Sequence, residues 1–246
     1  MGSGKSRRVG LARALSKLGY CSRSQAEGLI QAGHVQLGGI VKRDPESPVL
    51  LGRDRIEVQG QLVRPAEKVY LMLNKPRGLV TTASDEKGRA TIYSNLSSKL
   101  PWVAPVGRLD KASEGLLLLT NDPEWAGAVT APESHLAKIY HVQVSGLRNA
   151  ALTDALVKGF RLSGADFLKV KEASVLRQGD RNTWLAIALE EGKNRHIRRM
   201  LEHLGIEVLR LVRVAIGPLA LGDLAKGASR PLTAEEKSAL DRAIGA

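Results

Sequence analysis

The N-terminal part of the chain opens with two segments whose apolar residues are spaced for helices. In the first, three leucines recur at helical spacing before the helix-stopping Gly19, namely Leu11, Leu15 and Leu18. In the second, Ser22 and Gln25 form a capping box ahead of an apolar stripe of Ala26, Leu29 and Ile30. Gly33 ends that stripe, so the pattern predicts two short helices.

Alternating apolar positions follow the two predicted helices. Val35 and Leu37 alternate with polar residues, and Gly38-Gly39 offers a turn before Ile40-Val41. Residues 55–58 alternate again, and residues 60–68 have the composition of a linker. The pattern therefore predicts a small sheet after the helices, and a separate module over residues 7–65.

From residue 69 onward the chain mixes predicted strands with predicted helices. Apolar residues alternate or run together, as in strands, at residues 69–73, 116–119, 139–144 and 184–189. Three helices are predicted in this part of the chain. The first covers residues 152–157, and the second begins after Asn194 and ends at Gly205. The third follows the capping box of Thr233 and Glu236. The middle helix is expected to bury Ile197, Met200, Leu201 and Leu204. A second α+β domain over residues 69–246 follows from this pattern.

The charge of the chain changes the picture, because it points to a partner. The 246 residues carry a formal net charge of +12. The first 65 residues contain eleven Lys and Arg against five Asp and Glu, which concentrates the excess in the N-terminal module. A polyanion such as nucleic acid is the expected partner. An acidic protein or an anionic membrane also fits the charge, but neither explains the motifs below.

Several classes of site and location are not expected from this composition. A single cysteine, Cys21, excludes a disulfide framework and a cysteine-based metal cluster, which suits a reducing cytosol. The five histidines lack a metal-ligand spacing, and no phosphate-binding loop, dinucleotide fingerprint or serine elbow is present. Neither a signal peptide nor a membrane-spanning segment is expected, since the longest apolar stretches are far too short.

The strongest candidate for a catalytic segment runs from Gly107 to Asp122. A polar, glycine-bounded loop that contains Arg108 and Asp110 leads directly into the apolar run at residues 116–119. A carboxylate in such a loop is held at the end of a rigid strand, where catalytic groups tend to lie. Alternatively, Asp110 caps a turn or pairs with Arg108.

Two further segments carry candidate residues. In the predicted strand at residues 139–144, Tyr140 offers a flat face for stacking on a base, or else fills the core. Residues 191–200 run from a turn into an amphipathic helix with a polar stripe of Arg195, Arg198, Arg199 and Glu202. Arg198 follows the apolar Ile197 and is placed to pair with a carboxylate, although a solvated basic face is the simpler interpretation.

Taken in order, these segments resemble the pseudouridine synthases that modify single sites in bacterial-type ribosomal RNA, in the small-subunit uridine synthase branch. The matching motifs are Asn74 to Gly78, Gly107 to Asp122, Lys138 to Tyr140, Glu191 to Met200, and Ile216 to Leu219. The N-terminal module resembles the S-four-type RNA-binding domain, on the residues from Cys21 to Ile30 followed by Gly33 and Val35. The likeness covers nearly the whole chain. It departs from the family at His196, where glutamine is usual, and at Gly38-Gly39, where Asn-Gly is usual.

The resemblance implies roles for particular residues. Asp110 is implied as the essential carboxylate, Tyr140 as the residue that stacks on the flipped uracil, and Arg198 as the partner that keeps Asp110 charged and oriented. Further substrate contacts are implied at Lys75, Arg77, Arg108, Lys138, Arg195 and Leu211. In the N-terminal module, RNA contacts are expected at Arg7, Arg8, Arg13 and Arg23.

The resemblance also implies the reaction and its setting. Uridine is isomerised to pseudouridine in ribosomal RNA or in a ribosome-assembly intermediate, by a monomer that needs neither cofactor nor metal. The expected compartment is a bacterial cytoplasm or an organelle. The implied catalytic domain has a mainly antiparallel mixed sheet flanked by helices. A non-catalytic RNA-binding or assembly factor is the alternative, and an enzyme acting on transfer RNA a further one. The target uridine stays open, with a slight preference for large-subunit RNA.

Overall fold

The computed structural model describes residues 8–82, 88–162 and 166–245, so the expected RNA contact Arg7 lies outside the described residues. The chain forms two compact units. The first contains the N-terminal part up to Tyr70 together with residues 97–104 and 119–125, and the second contains the remainder. Within the described part of the chain, no helix is long and apolar enough to cross a membrane.

The helices begin where their sequence offers caps. Those of the described residues are α1 (Leu11–Lys17), α2 (Arg23–Gln31), α3 (Pro123–Thr130), α4 (Ala150–Lys158), α5 (His196–His203) and α6 (Ala234–Ile244). The predicted capping boxes are present, because the side chains of Ser22 and Thr233 accept hydrogen bonds from the backbones of Gln25 and Glu236. Gly19 lies just past the end of α1 with a φ of 74°, as a helix-stopping glycine does.

The N-terminal module has two helices followed by a small sheet, as predicted, and also a short strand before the helices that was not predicted. Its strands are β1 (Val9–Gly10), β2 (Val35–Leu37), β3 (Ile40–Lys42), β4 (Pro48–Val49), β5 (Ile56–Val58) and β6 (Gln61–Leu62). The four-stranded sheet has the order β3-β2-β5-β6, and β1 pairs with β4. Gly38 and Gly39 both have positive φ at the β2–β3 turn, which suits a tight hairpin. The predicted linker is partly wrong, because its start folds back as β6 against β5.

In the rest of the chain, the described residues form a sheet of nine strands. The remaining strands are β7 (Tyr70–Lys75), β8 (Ala104–Val106), β9 (Glu114–Thr120), β10 (Lys138–Ser145), β11 (Phe160–Arg161), β12 (Phe167–Leu168), β13 (Glu172–Gln178), β14 (Asn182–Leu189), β15 (Val208–Ile216), β16 (Leu219–Ala220) and β17 (Ser229–Pro231). The main order is β13-β14-β10-β15-β9-β7-β17, with β8 beside β9 and β16 beside β15. The short pair β11–β12 is separate.

The large sheet is mixed but mainly antiparallel, which confirms the expected fold class. The pairs β13–β14, β14–β10, β10–β15, β15–β16 and β7–β17 are antiparallel. The pair β9–β15 is parallel, and it aligns Glu114 with Val212. Sequence patterns did not reveal β13 or β15, the latter being a long strand in the middle of the sheet.

One face of this sheet carries the core of the domain. Residues with even numbers on β10, such as Val142 and Val144, pack with Leu185 and Ile187 of β14 against the buried side of α5. Ile197, Met200 and Leu201 form that side of α5, as predicted. Leu204 was expected there too, but it is 38% exposed because the helix has ended and the chain turns at Gly205.

Candidate active site

Asp110 lies in the loop that joins β8 to β9, where the apolar β9 anchors one end. The loop closes on itself, since the backbone N–H of Ser113 donates a 2.9 Å hydrogen bond to the carbonyl of Asp110. The carboxylate is exposed at the wall of a cleft of about 340 Å³. It is therefore accessible to a ligand while its backbone is held in place.

A neighbouring loop after β7 braces the Asp110 loop. The hydroxyl of Thr81 donates a 2.7 Å hydrogen bond to the carbonyl of Leu109, and the N–H of Gly78 donates one of 2.8 Å to the carbonyl of Lys111. Lys75 is the third brace, because its Nζ donates to the carbonyls of Asp110 and Ser113 at 3.1 and 2.9 Å. These bonds fix the loop on both sides of the carboxylate.

The burial of Lys75 corrects the expectation that it contacts substrate. Its side chain is completely buried, so it offers no surface to a ligand in this structure. Burial lowers the pKa of Lys75 to about 8, and the charges of Asp110 and Glu114 oppose that shift. A buried ammonium whose hydrogen bonds go to backbone carbonyls positions a loop rather than binding RNA.

Tyr140 reaches the same cleft from the sheet. It lies half-buried on β10, on the face that also carries Lys138, and the strand pairing sets it opposite Arg213 of β15. Leu211 lies two residues earlier on β15 and also lines the cleft. Since side chains two apart share a face of a strand, the sheet presents an aromatic ring, an aliphatic side chain and two cations together.

Arg198 enters the cleft from the first turn of α5. Its guanidinium donates a 2.9 Å hydrogen bond to the carbonyl of Ala112, two residues beyond Asp110. Among the described residues no salt bridge joins Arg198 to the Asp110 carboxylate, so the direct pair that the resemblance implies is absent here. Burial lowers the pKa of Arg198, and the negative charge of Asp110 partly offsets that shift. Arg198 thus braces the loop and lies within electrostatic reach of its carboxylate.

The start of α5 has an unusual backbone. Arg195, not Asn194, is the residue that precedes the helix, and its φ of 49° and ψ of 31° are left-handed. No side chain of the described residues caps this helix, which corrects the expected role of Asn194. A non-glycine residue in this region costs free energy, and such residues cluster at functional sites. Arg195 is exposed and lines the cleft.

Two buried polar residues at the cleft were not proposed from the sequence as site residues. Arg213 is 5% exposed, and its Nε donates to the carbonyl of Leu116 at 2.7 Å; one terminal nitrogen has no hydrogen-bond partner among the residues that the structure describes. His196 is 6% exposed, and neither ring nitrogen makes a hydrogen bond of normal geometry within the described part of the chain. Burial lowers the pKa of His196, and the nearby backbone of Lys169 opposes that shift. Arg213 follows Leu211 by two positions, so the two side chains share a face of a strand. That spacing is the sequence signal that could have identified Arg213 as a site residue.

The cleft therefore gathers most of the predicted site residues. Those that line it are Asp110, Tyr140, Arg198, Arg108, Lys138, Arg195 and Leu211. Arg77 does not line the cleft, but it is exposed and close enough to lower the pKa of Arg198 by charge repulsion. The pKa of Lys138 is lowered mainly by burial, and the positive charge of Arg213 lowers it further. A carboxylate, an aromatic ring and several cations in one cleft fit an enzyme that acts on a flipped nucleotide.

The described residues contain no group of three or more histidine, cysteine, aspartate or glutamate side chains arranged to hold a metal ion.

In the N-terminal module, Arg8, Arg13 and Arg23 are all exposed. Their positions leave these three arginines accessible to a polyanion.

Comparisons with known proteins agree with this geometry. The family model described as RNA pseudouridylate synthase matches residues 69–203, and the S4 domain model matches residues 9–56. An uncharacterised RNA pseudouridine synthase of Rickettsia prowazekii (strain Madrid E) is 39% identical over 218 residues, which cover 88% of this chain and 91% of that protein. The ribosomal large subunit pseudouridine synthase B of Bacillus subtilis (strain 168) is 36% identical over 227 residues, covering 92% of this chain and 93% of that protein.

A solved structure shows the same fold. A crystal structure of a pseudouridylate synthase matches 94% of this chain and 99% of its own, with a TM-score of 0.65 and 30% sequence identity. Fold and cleft define an RNA-modifying isomerase that carries an S4-type RNA-binding domain. The chain belongs to the RNA pseudouridine synthase family, and it isomerises uridine in RNA. The resemblance expected from the sequence is confirmed, and a non-catalytic binding factor is not favoured.

Proposed function

We propose that this enzyme modifies a specific uridine in ribosomal RNA, with Asp110 as the essential catalytic residue. The observation that carries the role of Asp110 is its exposed carboxylate on the wall of a cleft that also contains Tyr140 and Arg198. The ribosomal substrate is supported by the similarity to a ribosomal large subunit pseudouridine synthase. The cytoplasm, or an organelle with bacterial-type ribosomes, is the compartment that this substrate implies.

The reaction must break the glycosidic bond, turn the uracil, and join its carbon five to the sugar. In this proposal the ionised Asp110 acts as a nucleophile at the sugar or the base, or as a base that removes a sugar proton. Tyr140 stacks on the extruded uracil and helps remove the proton from carbon five. Leu211 packs beside the ring. The nucleotide has the same atoms before and after the reaction, and the proposal uses only side chains of this chain.

Cations of the cleft have a separate role in this proposal. Arg108, Arg195 and Lys138 line the cleft and Arg77 lies beside it, all placed to attract the phosphates that flank the target nucleotide. Arg198 holds the loop of Asp110 through the carbonyl of Ala112 and supplies positive charge near the carboxylate. The enzyme thus has binding groups at the rim and positioning groups deeper in the cleft.

The N-terminal module is proposed as a second RNA contact. We assign residues 7–65 to an S4-type RNA-binding domain and residues 69–246 to the catalytic domain of a monomeric enzyme. The exposed Arg8, Arg13 and Arg23 supply phosphate contacts, and Arg7 is proposed to join them. Replacing Arg13 and Arg23 with glutamate should weaken RNA binding and flatten its salt dependence. An unchanged affinity and salt slope would overturn this assignment.

The experiment that tests the main proposal uses purified protein and unmodified transcripts of both ribosomal RNAs. Pseudouridine would be located by chemical labelling and reverse-transcription stops, with Asp110→Asn in parallel. We expect one new site with the original protein and none with Asp110→Asn, while RNA affinity is retained. Activity that survives in Asp110→Asn would reject its role. If a site is modified in a ribosome-assembly particle but not in the naked transcripts, the substrate is that particle.

A further inference from the structure

The sheet face opposite the cleft carries an aromatic and cationic group that the reaction does not use. We call the group the back-face patch and define it by Arg177, Trp184, Arg210 and His141, which line a cavity of about 430 Å³ with Leu176, Val212 and Val214. Tyr140 faces the cleft, so its neighbour His141 on β10 faces the other side. The patch and the cleft therefore lie on opposite faces of β10, β14 and β15, and β13 adds Leu176 and Arg177 to the patch alone.

Strand register explains why these residues meet. On β14, Trp184 is opposite Arg177 of β13 and Gln143 of β10, and Gln143 is opposite Arg210 of β15. One row across four strands therefore reads Arg, Trp, Gln, Arg. The guanidinium carbons of Arg177 and Arg210 lie 5.3 and 5.7 Å from the centre of the Trp184 ring. Both distances are within the range of a cation–π interaction.

The charge of the patch is not neutralised. Glu114 accepts two hydrogen bonds of 3.1 Å from the guanidinium of Arg210 and also pairs with Lys226, so two cations share one buried carboxylate. Arg177 is exposed and has no salt bridge among the residues that the structure describes. Leu176, at the β-bulge before Arg177, is 47% exposed. The patch thus combines an exposed apolar side chain, an arginine without a salt bridge and a tryptophan, which suits a partner that is both flat and anionic.

We propose that the back-face patch binds an unpaired segment of the RNA substrate outside the target nucleotide. A base packs in the cavity against Trp184 and the guanidinium plane of Arg177, and a neighbouring phosphate pairs with Arg177. Single-stranded RNA offers this combination of stacking surface and negative charge, whereas an acidic protein surface offers the charge with less flat area. The proposal rests on the enzyme acting on RNA, and it extends the footprint of that RNA to a second face of the catalytic sheet.

The test uses tryptophan emission from the full-length protein. The chain has three tryptophans, so Trp102→Phe with Trp125→Phe leaves Trp184 as the only source. The probe is a 5′-labelled 12-nucleotide single-stranded RNA of adenosine and cytidine, which cannot be isomerised and separates this patch from catalysis. We expect the RNA to quench Trp184 emission with the same midpoint as its fluorescence anisotropy.

Two arginine variants complete the test in the same background. Arg177→Glu should weaken binding of the probe by at least about fivefold. Arg161→Glu makes the same charge change at an exposed site on β11, and it should weaken binding by less than about twofold. Pseudouridine formation on a short uridine-containing RNA is measured alongside, so that failure of the patch is distinguished from failure of the enzyme.

Three outcomes would overturn the proposal. One is RNA binding, seen by anisotropy, with unchanged Trp184 emission. Another is an equal effect of Arg177→Glu and Arg161→Glu. The last is an emission change that depends on protein concentration without RNA, which would assign the patch to contact with a second copy of the chain.

Discussion

The buried Nζ of Lys75 donates a 3.1 Å hydrogen bond to the backbone carbonyl of Asp110. The same nitrogen donates to the carbonyls of Ser113 at 2.9 Å and Pro76 at 3.2 Å. A side chain from the end of β7 therefore fixes the loop from beneath, while the carboxylate of Asp110 points to the solvent side. In the proposed mechanism, positioning and chemistry are divided between two residues that lie 35 positions apart in the sequence.

Lys75→Met should disorder the catalytic loop without removing any cleft residue. Methionine keeps most of the buried volume but removes all donors, and each lost bond to a charged donor is worth about 1.5–3 kcal/mol. We expect kcat to fall at least about tenfold while RNA affinity changes less than about twofold. Steady-state rates and RNA binding, measured on the same preparation, check this. Equal losses in affinity and kcat would show that Lys75 binds substrate after all.

The same variant tests the titration of Lys75. Burial lowers its folded-state pKa to about 8, below the ordinary value of 10.5, so the unfolded chain binds more protons between these two pH values. The free energy of unfolding of the original protein should therefore gain a contribution as pH rises from 8 to 10.5, and Lys75→Met should lack it. Denaturant unfolding of both proteins at several pH values gives the difference. A difference independent of pH contradicts this prediction.

Arg198→Met should cost far more activity than the same change at the next residue. Arg198 holds the carbonyl of Ala112 and lies near Asp110, whereas Arg199 pairs with the part-exposed Asp166 away from the cleft. We expect the single-turnover rate to fall at least about tenfold in Arg198→Met. Arg199→Met should stay within about twofold, as expected for a surface ion pair. Similar rates in the two variants would remove Arg198 from the positioning machinery.

Arg195 offers a comparison between backbone strain and charge. Arg195→Ala and Arg195→Gly both remove the cation, so both should raise KM for RNA by several fold. Only glycine adopts a φ of 49° without penalty, so Arg195→Gly should be more stable than Arg195→Ala by about 1 kcal/mol. Thermal or denaturant unfolding measures that gap. If alanine is the more stable residue here, the left-handed conformation does not persist in solution.

Gly115→Ala should damage the parallel pairing that brings β9 beside β15. Gly115 has a φ of 100°, and a Cβ at this position would overlap the backbone carbonyl oxygen of Arg213. We expect a loss of about 2–4 kcal/mol in the free energy of unfolding. Gly127→Ala is the matched control, because Gly127 lies in α3 with open space around it, and it should be neutral or stabilising by up to about 1 kcal/mol. A tolerated Gly115→Ala would mean that the two strands are not closely paired.

Several elements of this protein were determined by short stretches of sequence alone. The capping boxes of Ser22 and Thr233, the glycine after α1, and the apolar run of β9 are local features, and each gave the expected element. Asp110 was proposed from its loop and motif, which adjoin the strand that anchors them, and the structure places it on the wall of the cleft. Hydrogen bonds between residues a few positions apart need no knowledge of the rest of the fold.

Tertiary structure decided what depends on strands that are distant in sequence. Burial of Lys75, the bond from Arg198 to Ala112, and the strain at Arg195 have no local signal. The back-face patch joins four strands, and only their register puts Arg177 and Arg210 beside Trp184. Strand pairing is set by which long-range contacts bury the most apolar surface and satisfy the backbone together. A local pattern cannot specify that choice, and a shift of one residue would turn each of these side chains to the opposite face.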